Sequence, residues 1–165
     1  MPTLFQAPVF ELIDQDGNKF TDAQLKGRPW IACFVFTHCA GPCPMMFSKM
    51  SGMQKAAADA DVKLVSFTVD PTRDTPEVLK EKAKQLDAQP GRWVFLTGDE
   101  KSIDSVARGM LQARPGPGDA PLMHSTKFLL FDATNHCRGR YDSGDDAEMT
   151  KLTKDAAELA KEAKS

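Results

Sequence analysis

Apolar and polar positions along the chain fall into short strand-like blocks that alternate with longer helix-like ones. The stretch beginning at Ala7 places Val9, Phe10, Leu12 and Ile13 before a break at Asp16-Gly17-Asn18 and resumes at Phe20, the pattern of a small hairpin. Trp30 to Thr37 (WIACFVFT) is nearly continuously apolar and rich in aromatic and β-branched residues, which predicts a central strand covered on both faces. From Pro42 to Ala58, Met46, Phe47, Met50, Met53 and Ala57 recur on one helical face, and Pro42 and Pro44 are tolerable only in a first turn. Val62 to Val69 alternates as a second strand. Asp70 to Pro76 then leads into an amphipathic helix through Leu86, with Asp74 or Thr75 as its cap and Pro76 in its first turn. Trp93 to Leu96 predicts a short strand and Lys101 to Leu111 a helix. Lys127 to Phe131 and about Cys137 to Tyr141 predict a hairpin around Asp132-Ala133-Thr134-Asn135. Asp145 to Lys164 reads as a terminal helix with Leu152, Ala156, Leu159 and Ala163 as its apolar stripe. Arg114 to Pro121 follows neither period and is expected to be a loop inside the domain.

This alternation implies an α/β sandwich with a parallel or mixed sheet, in a single domain over 1–165 whose core runs from about 7 to 142, with the terminal helix at 145–164. The length of 165 residues changes the meaning of the four cysteines. A domain of this size buries about 70% of the surface its unfolded chain exposes, so neither a disulfide framework nor a structural metal is needed for folding. Charge narrows the partners. The chain has 21 basic and 23 acidic residues, a net of -2, with no block of five or more lysines and arginines, which argues against nucleic acid or an anionic membrane surface. The apolar runs fall short of the roughly 20 residues a spanning helix needs, and MPTLFQAPVF lacks a basic region followed by an apolar stretch. The expectation is a soluble chain carrying no address, either cytoplasmic or separated from its leader.

The chemistry concentrates in Thr37-His38-Cys39-Ala40-Gly41-Pro42-Cys43-Pro44, where the buried strand gives way to a helix. A thiol at a helix N-terminus meets unpaired N–H groups and the positive end of the helix dipole, which lowers its pKa. Positions four apart on a helical turn share a face, so Cys39 and Cys43 can converge. Convergence permits either a disulfide or joint ligation of one soft metal ion. A thioredoxin-type redox motif has two residues between its cysteines and this one has three, which weakens the plain oxidoreductase reading. Among His38, His124 and His136, the candidate third ligand is His124, before the Lys127 strand in a loop that a thioredoxin-like topology brings against the first helix. Two thiolates and an imidazole make a soft, three-coordinate site suited to Cu(I), or to Cu(II) with an added weak ligand. Structural zinc usually takes a fourth protein ligand.

In order along the chain, Asp14-Gln15-Asp16-Gly17, Phe34 to Cys39 (FVFTHC) with Cys43-Pro44, Ser66 to Pro76 (SFTVDPTRDTP) and His124-Ser125 resemble the Sco/SenC family, over about Ala7 to Tyr141. The resemblance implies a thioredoxin-like three-layer sandwich with an N-terminal β-hairpin and a C-terminal helix. It implies copper bound by Cys39, Cys43 and His124, with Asp70 at the strand end beside the site. The implied function is a metallochaperone that delivers copper to, or prepares the cysteines of, the dinuclear copper site of a cytochrome c oxidase subunit. Another copper or thiol protein is the alternative partner. Some members are thought to reduce disulfides, so Cys39 and Cys43 would then be a redox pair with Cys39 attacking and Cys43 resolving. Ala40-Gly41-Pro42 stands where members often carry an acidic residue, and Met123 where they often carry Asp. Copper delivery to an oxidase takes place outside the cytoplasm. The implied location is therefore periplasmic, or anchored in the inner membrane and facing the periplasm, or the mitochondrial intermembrane space in a eukaryote. The leader or membrane anchor would lie outside this sequence.

Blander readings compete for each residue. The cysteine pair could be two inert thiols beside a core helix, and His124 alone would more often be an ordinary surface or core histidine. His38 adjoins Cys39 but points the opposite way on an extended segment and reads as structural. Asp70 to Pro76 could be only a well-capped turn, with Arg73 and Asp74 a local ion pair. Met46, Met50 and Met53 read as core, whereas Met45 and Met123 could line an apolar docking surface or give a transient ligand. Cys33 reads as a small buried hydrophobe, and Cys137 as a stray surface thiol beside a turn. A peroxidase-like thiol enzyme is the weakest reading, because only Arg73 offers itself as an activating group.

Overall fold

A computed structural model describes residues 1–37, 43–57, 59–111 and 127–164, without the side chains of Cys43 and Leu111. The strands are β1 (Phe5–Gln6), β2 (Glu11–Asp14), β3 (Lys19–Thr21), β4 (Trp30–Val35), β5 (Lys63–Thr68), β6 (Trp93–Thr97), β7 (Lys127–Phe131) and β8 (His136–Asp142). The helices are α1 (Cys43–Ala56), α2 (Pro76–Gln85), α3 (Glu100–Leu111) and α4 (Asp146–Lys164), with a 3-10 turn at Asp22–Leu25.

All eight strands join one sheet in the order β1-β8-β7-β4-β5-β6-β2-β3. The centre is parallel, β4 to β5 and β5 to β6, because each connection is a helix. Both flanks are antiparallel: β7 against β4 and β8 against β7 on one side, β2 against β6 on the other. The predicted hairpin exists as β2 and β3, paired Leu12 to Phe20. Asp14 Oδ1 accepts from the backbone N–H groups of Asp16 and Asn18, and Gly17 takes a positive φ of 81° in the turn.

Every residue of β4 is buried, and successive side chains divide between two apolar layers. Ile31, Cys33 and Val35 face Met46, Phe47, Met50 and Met53 of α1, Leu79 of α2 and Leu152, Ala156 and Leu159 of α4. Trp30, Ala32 and Phe34 face the other way, with Ile103, Val106, Ala107 and Met110 of α3 and with Leu12, Phe20 and Leu25. Helices therefore cover both faces, giving a three-layer sandwich. Strand β5 does not alternate as its sequence implies. All six of its residues are buried, Ser66 and Thr68 included, because it lies between β4 and β6 under both helical layers.

Two elements escape the apolar pattern. Strand β1 has only two residues and pairs with β8, Phe5 to Cys137 and Gln6 to His136. Half-buried Phe5 packs on the apolar layer that holds Cys137, which explains a correction: Cys137 is fully buried rather than a surface thiol. The second is a polar tie at the Trp30 end of β4. Trp30 Nε1 donates to Asn135 Oδ1 at 2.9 Å, and Asn135 Nδ2 donates to the Asp22 carbonyl at 2.9 Å. Asn135 holds a left-handed φ of 63° in the β7 to β8 turn, where asparagine is among the few residues tolerated.

Helix α4 is fastened by more than its apolar stripe. Tyr141 Oη donates to Asp155 Oδ2 at 2.6 Å, and Lys151 Nζ reaches the same oxygen at 2.6 Å. Burial pushes the Asp155 carboxyl up, but the Lys151 ammonium and the Tyr141 hydroxyl favour its charged form and hold it below the ordinary value. Burial first, and then the neighbouring Asp155 carboxylate, push the Tyr141 hydroxyl up. Asp132 is held low in the same way, by the His136 N–H, Thr134 and Arg138 acting against its burial. Among the described residues no helix is long and apolar enough to cross a membrane.

A carboxyl held low stabilises the fold above its unfolded value, near pH 4, and loses that contribution as pH falls through the folded one. Urea unfolding followed from pH 7 to pH 2 should therefore show stability falling below about pH 4, with a shallower fall in Asp155→Asn. An equal slope in the two proteins would remove Asp155 from the acid response. At pH 7, Tyr141→Phe should cost about 2 kcal/mol, the range for a hydrogen bond to a charged group.

Candidate metal centre

The candidate residues must be located from the elements around them. Strand β4 ends at Val35 and helix α1 begins at Cys43, so the cysteine segment joins the carboxyl end of a buried strand to the amino end of a 14-residue helix. The first turn of such a helix carries unpaired N–H groups and the positive end of the dipole, an environment that favours thiolate over thiol. Pro44 is the second helical residue, where a missing N–H costs nothing. His38 and Cys39 lie outside the described residues, as do His124 and Met123.

Strand pairing shows where the chain segment ahead of β7 enters the fold. Strand β7 runs antiparallel to β4, with Phe131 opposite Trp30, Leu130 opposite Ile31 and Leu129 opposite Ala32. Continuing that register sets Lys127 opposite Phe34, so β7 starts beside the end of β4 that leads to the cysteines. His124 is three residues ahead of Lys127 in sequence. The elements flanking Cys39, Cys43 and His124 thus meet at one end of the sheet, the carboxyl end of its parallel strands, where α/β sheets commonly bind ligands.

Asp70 is at the same end, two residues past β5. It lines a cleft of about 390 Å³ with Val69, Pro71 and, from the start of α3, Glu100, Lys101 and Asp104. Arg73 Nε stands 3.8 Å from Asp70 Oδ2, and Arg73 is well exposed, so the pair contributes little. The local ion pair of this loop therefore joins Arg73 to Asp70, three residues earlier, rather than to Asp74.

Asp74 does something the sequence reading missed. Thr75 is the cap of α2, its hydroxyl accepting from the Val78 N–H at 3.4 Å. Asp74 is turned inward with no exposed surface. Its Oδ2 accepts from the Thr37 N–H at 3.1 Å and from the Thr68 hydroxyl at 2.7 Å, and its Oδ1 accepts from the Thr37 hydroxyl. The Asp74 N–H donates to the Asp70 carbonyl at 2.9 Å, and the Asp70 N–H to Thr68 Oγ1 at 3.0 Å. Nothing local signals this, because the Thr37 N–H and hydroxyl belong to a residue 37 positions away.

The other sulfur and imidazole groups separate cleanly. Met46, Met50 and Met53 are core, as their spacing predicts, whereas Met45 is exposed on the first turn of α1. Cys33 is fully buried, its Sγ 3.5 Å from Ser66 Oγ, which also accepts from Trp93 Nε1 at 3.0 Å. Burial pushes the Cys137 thiol up to about 11, so it stays protonated and unreactive at neutral pH. His136 precedes Cys137 on β8 and so faces the opposite side of the sheet, with its Nδ1 2.9 Å from Thr134 Oγ1. Among the described residues no three His, Cys, Asp or Glu side chains are grouped to hold a metal.

Comparison with known proteins places this architecture. The SCO1/SenC pattern matches residues 3–161. The SCO1 protein homolog of Bacillus subtilis is 34% identical over 134 residues, 78% of this chain and 69% of that protein. The chain spans between 47% and 69% of the length of the Bacillus and Rickettsia relatives it matches. A SCO1/SenC family lipoprotein from Bacillus anthracis superposes with a TM-score of 0.82 at 31% identity, over 94% of this chain and 95% of that one. BsSco, a member of the Sco family of cytochrome c oxidase assembly proteins described as having a disulfide switch, superposes with a TM-score of 0.83 at 28% identity, over 97% and 96%. Bradyrhizobium japonicum ScoI with copper bound gives a TM-score of 0.72 at 27% identity, over 90% and 98%. The three-layer sandwich, with its hairpin and closing helix, is the thioredoxin-like fold of these proteins, and the chain belongs to the SCO1/SenC family.

Proposed function

We propose that this protein is a copper metallochaperone that holds one ion through Cys39, Cys43 and His124 and passes it to the dinuclear copper site of a cytochrome c oxidase subunit. The observation that carries this reading is the meeting, at one end of the sheet, of the carboxyl end of β4, the first turn of α1 and the amino end of β7. These three elements flank the two cysteines and the histidine. The copper-bound ScoI structure, alike over 90% of this chain, supports copper as the cargo.

The donor set suits the task. Two thiolates and an imidazole form a soft, low-coordinate site that accepts Cu(I), or Cu(II) with one weak added ligand. A partner thiolate or imidazole can replace these ligands one at a time, so the ion is never released bare. The thiols must be reduced and deprotonated to bind, which links copper loading to the redox state of the pair. Asp70, at the end of β5 and at the same end of the sheet, is the carboxylate we place beside the site. Exposed Met45, on the first turn of α1, belongs to the surface that meets the partner. The partner lies outside the cytoplasm, on the periplasmic side of the inner membrane or its mitochondrial counterpart, a placement supported by the lipoprotein relative.

A second reading, thiol-disulfide reduction of the target's cysteines, is favoured by the disulfide switch described for BsSco. In it the Cys39 thiolate attacks the target disulfide, and Cys43 then displaces the reduced target and leaves a Cys39 to Cys43 disulfide.

Anaerobic Cu(I) titration of the reduced protein against a competing chelator separates the two. Wild type should bind one ion far more tightly than Cys43→Ser. His124→Ala should bind at least about tenfold more weakly than wild type, since losing one of three ligands costs no less than losing a partner that merely orients one. Equal binding by wild type and Cys43→Ser would sink the chaperone reading, and unchanged binding by His124→Ala would leave a dithiol site without the imidazole. Oxidation of the pair should abolish Cu(I) binding, and reduction by dithiothreitol should restore it.

A further inference from the structure

We propose that Asp74 is a positioning residue for the cysteine pair, acting through Thr37. The inference rests on the reading of Cys39 and Cys43 as the working thiols and adds a residue that fixes where they stand.

Between strands β4 and β5, the backbone bond from Val69 N–H to the Val35 carbonyl, at 2.9 Å, lies just past the paired residues. Beyond it, at Thr37, the N–H donates not to a strand backbone but to the Asp74 carboxylate, which also takes the Thr37 hydroxyl and the Thr68 hydroxyl. One fully buried side chain therefore clamps the ends of two parallel strands at the point where β4 releases the chain toward Cys39, two residues on. A carboxylate is expensive to bury unless its oxygens are satisfied, and both oxygens here accept from residues at these two strand ends. A capping role does not account for that placement, because Thr75 supplies the cap of α2.

The clamp acts on geometry. If the exit of β4 is loosened, the two sulfurs spend less time within bonding reach of each other, and every property that needs both of them weakens together. The disulfide of Cys39 and Cys43 forms less favourably from the dithiol, and a shared Cu(I) is held less tightly. Groups bonded directly to metal ligands contribute about 10- to 100-fold to metal affinity, and Asp74, acting through Thr37, is expected at the low end of that range.

The test equilibrates the full chain with glutathione buffers. In this exchange two glutathione molecules reduce the protein disulfide, giving the dithiol and one glutathione disulfide. Asp74→Ala should shift the equilibrium constant toward the dithiol and weaken Cu(I) binding, each by roughly tenfold or more. Asp74→Asn, which keeps one oxygen and the shape, should recover part of both effects, and Thr37→Val, which removes only the hydroxyl, should reproduce part of them. Asp155→Ala serves as the control, since it breaks a buried carboxylate cluster elsewhere in the fold and should lower urea stability while leaving the glutathione equilibrium unchanged. Should Asp74→Ala fail to fold, Asn and Val variants carry the same readings. Loss of urea stability in the Asp74 and Thr37 variants with wild-type glutathione and copper equilibria would overturn the positioning role alone. Absence of both equilibria in wild type would overturn the function reading and this inference with it.

Discussion

From Trp30 to Val35 no side chain of β4 reaches solvent, so this strand requires cover on both faces and partners on both edges, and the rest of the chain supplies them. Helices α1, α2 and α4 close one face and α3 the other. On its edges β5 pairs in parallel and β7 antiparallel. The opposed directions matter most for function. A parallel neighbour ends where β4 ends, and an antiparallel neighbour begins there, so segments far apart in sequence converge on the exit of one strand.

That exit is where the fold spends polar interactions in its interior. Around Val35 and Thr37 the apolar layers give way to Thr68, Asp70 and the buried Asp74, linked through hydroxyls and backbone N–H groups. An apolar residue in place of Asp74 would leave the Thr37 N–H and two hydroxyls without this partner, so the carboxylate and its donors form a set that is satisfied only when complete. At the opposite end of β4, Trp30 and Asn135 perform a comparable tie between β4 and the β7 to β8 turn. The central strand is thus pinned at both ends by side-chain hydrogen bonds, with dispersion and burial holding its middle.

The same architecture divides the three cysteines among the described residues by environment. Cys33 lies inside β4, under α1, and Cys137 lies beneath the short β1 edge, where burial pushes its thiol up to about 11. Both behave as small hydrophobes. Cys43 opens a helix instead, in the turn where a backbone dipole favours negative charge. Which of these environments each of the three occupies is set by the three-layer sandwich.

Periodicity and punctuation made most elements legible. The apolar run at Trp30, the proline-led helices and the Asp16-Gly17-Asn18 turn are local signals with local physical causes, and helix α1, the hairpin and α4 fall within one or two residues of expectation. The start of α1 at Cys43, just past the buried strand, is legible in the same way, because a proline-led first turn is a property of adjacent residues. What was not legible depends on distant partners. The two residues of β1 are too few to show a period, so the burial of Cys137 could not be anticipated. Ser66 and Thr68 look like the polar side of a strand until both faces of the sheet are covered. Asp74 reads as a cap or a surface ion pair until Thr37 and Thr68 arrive beside it. The sequence by itself determined the elements and the start of α1 at Cys43, since those rest on propensity and short-range spacing. Only the tertiary structure decided which polar residues are interior and which strand ends meet, because burial and long-range hydrogen bonds come into being when the sheet assembles.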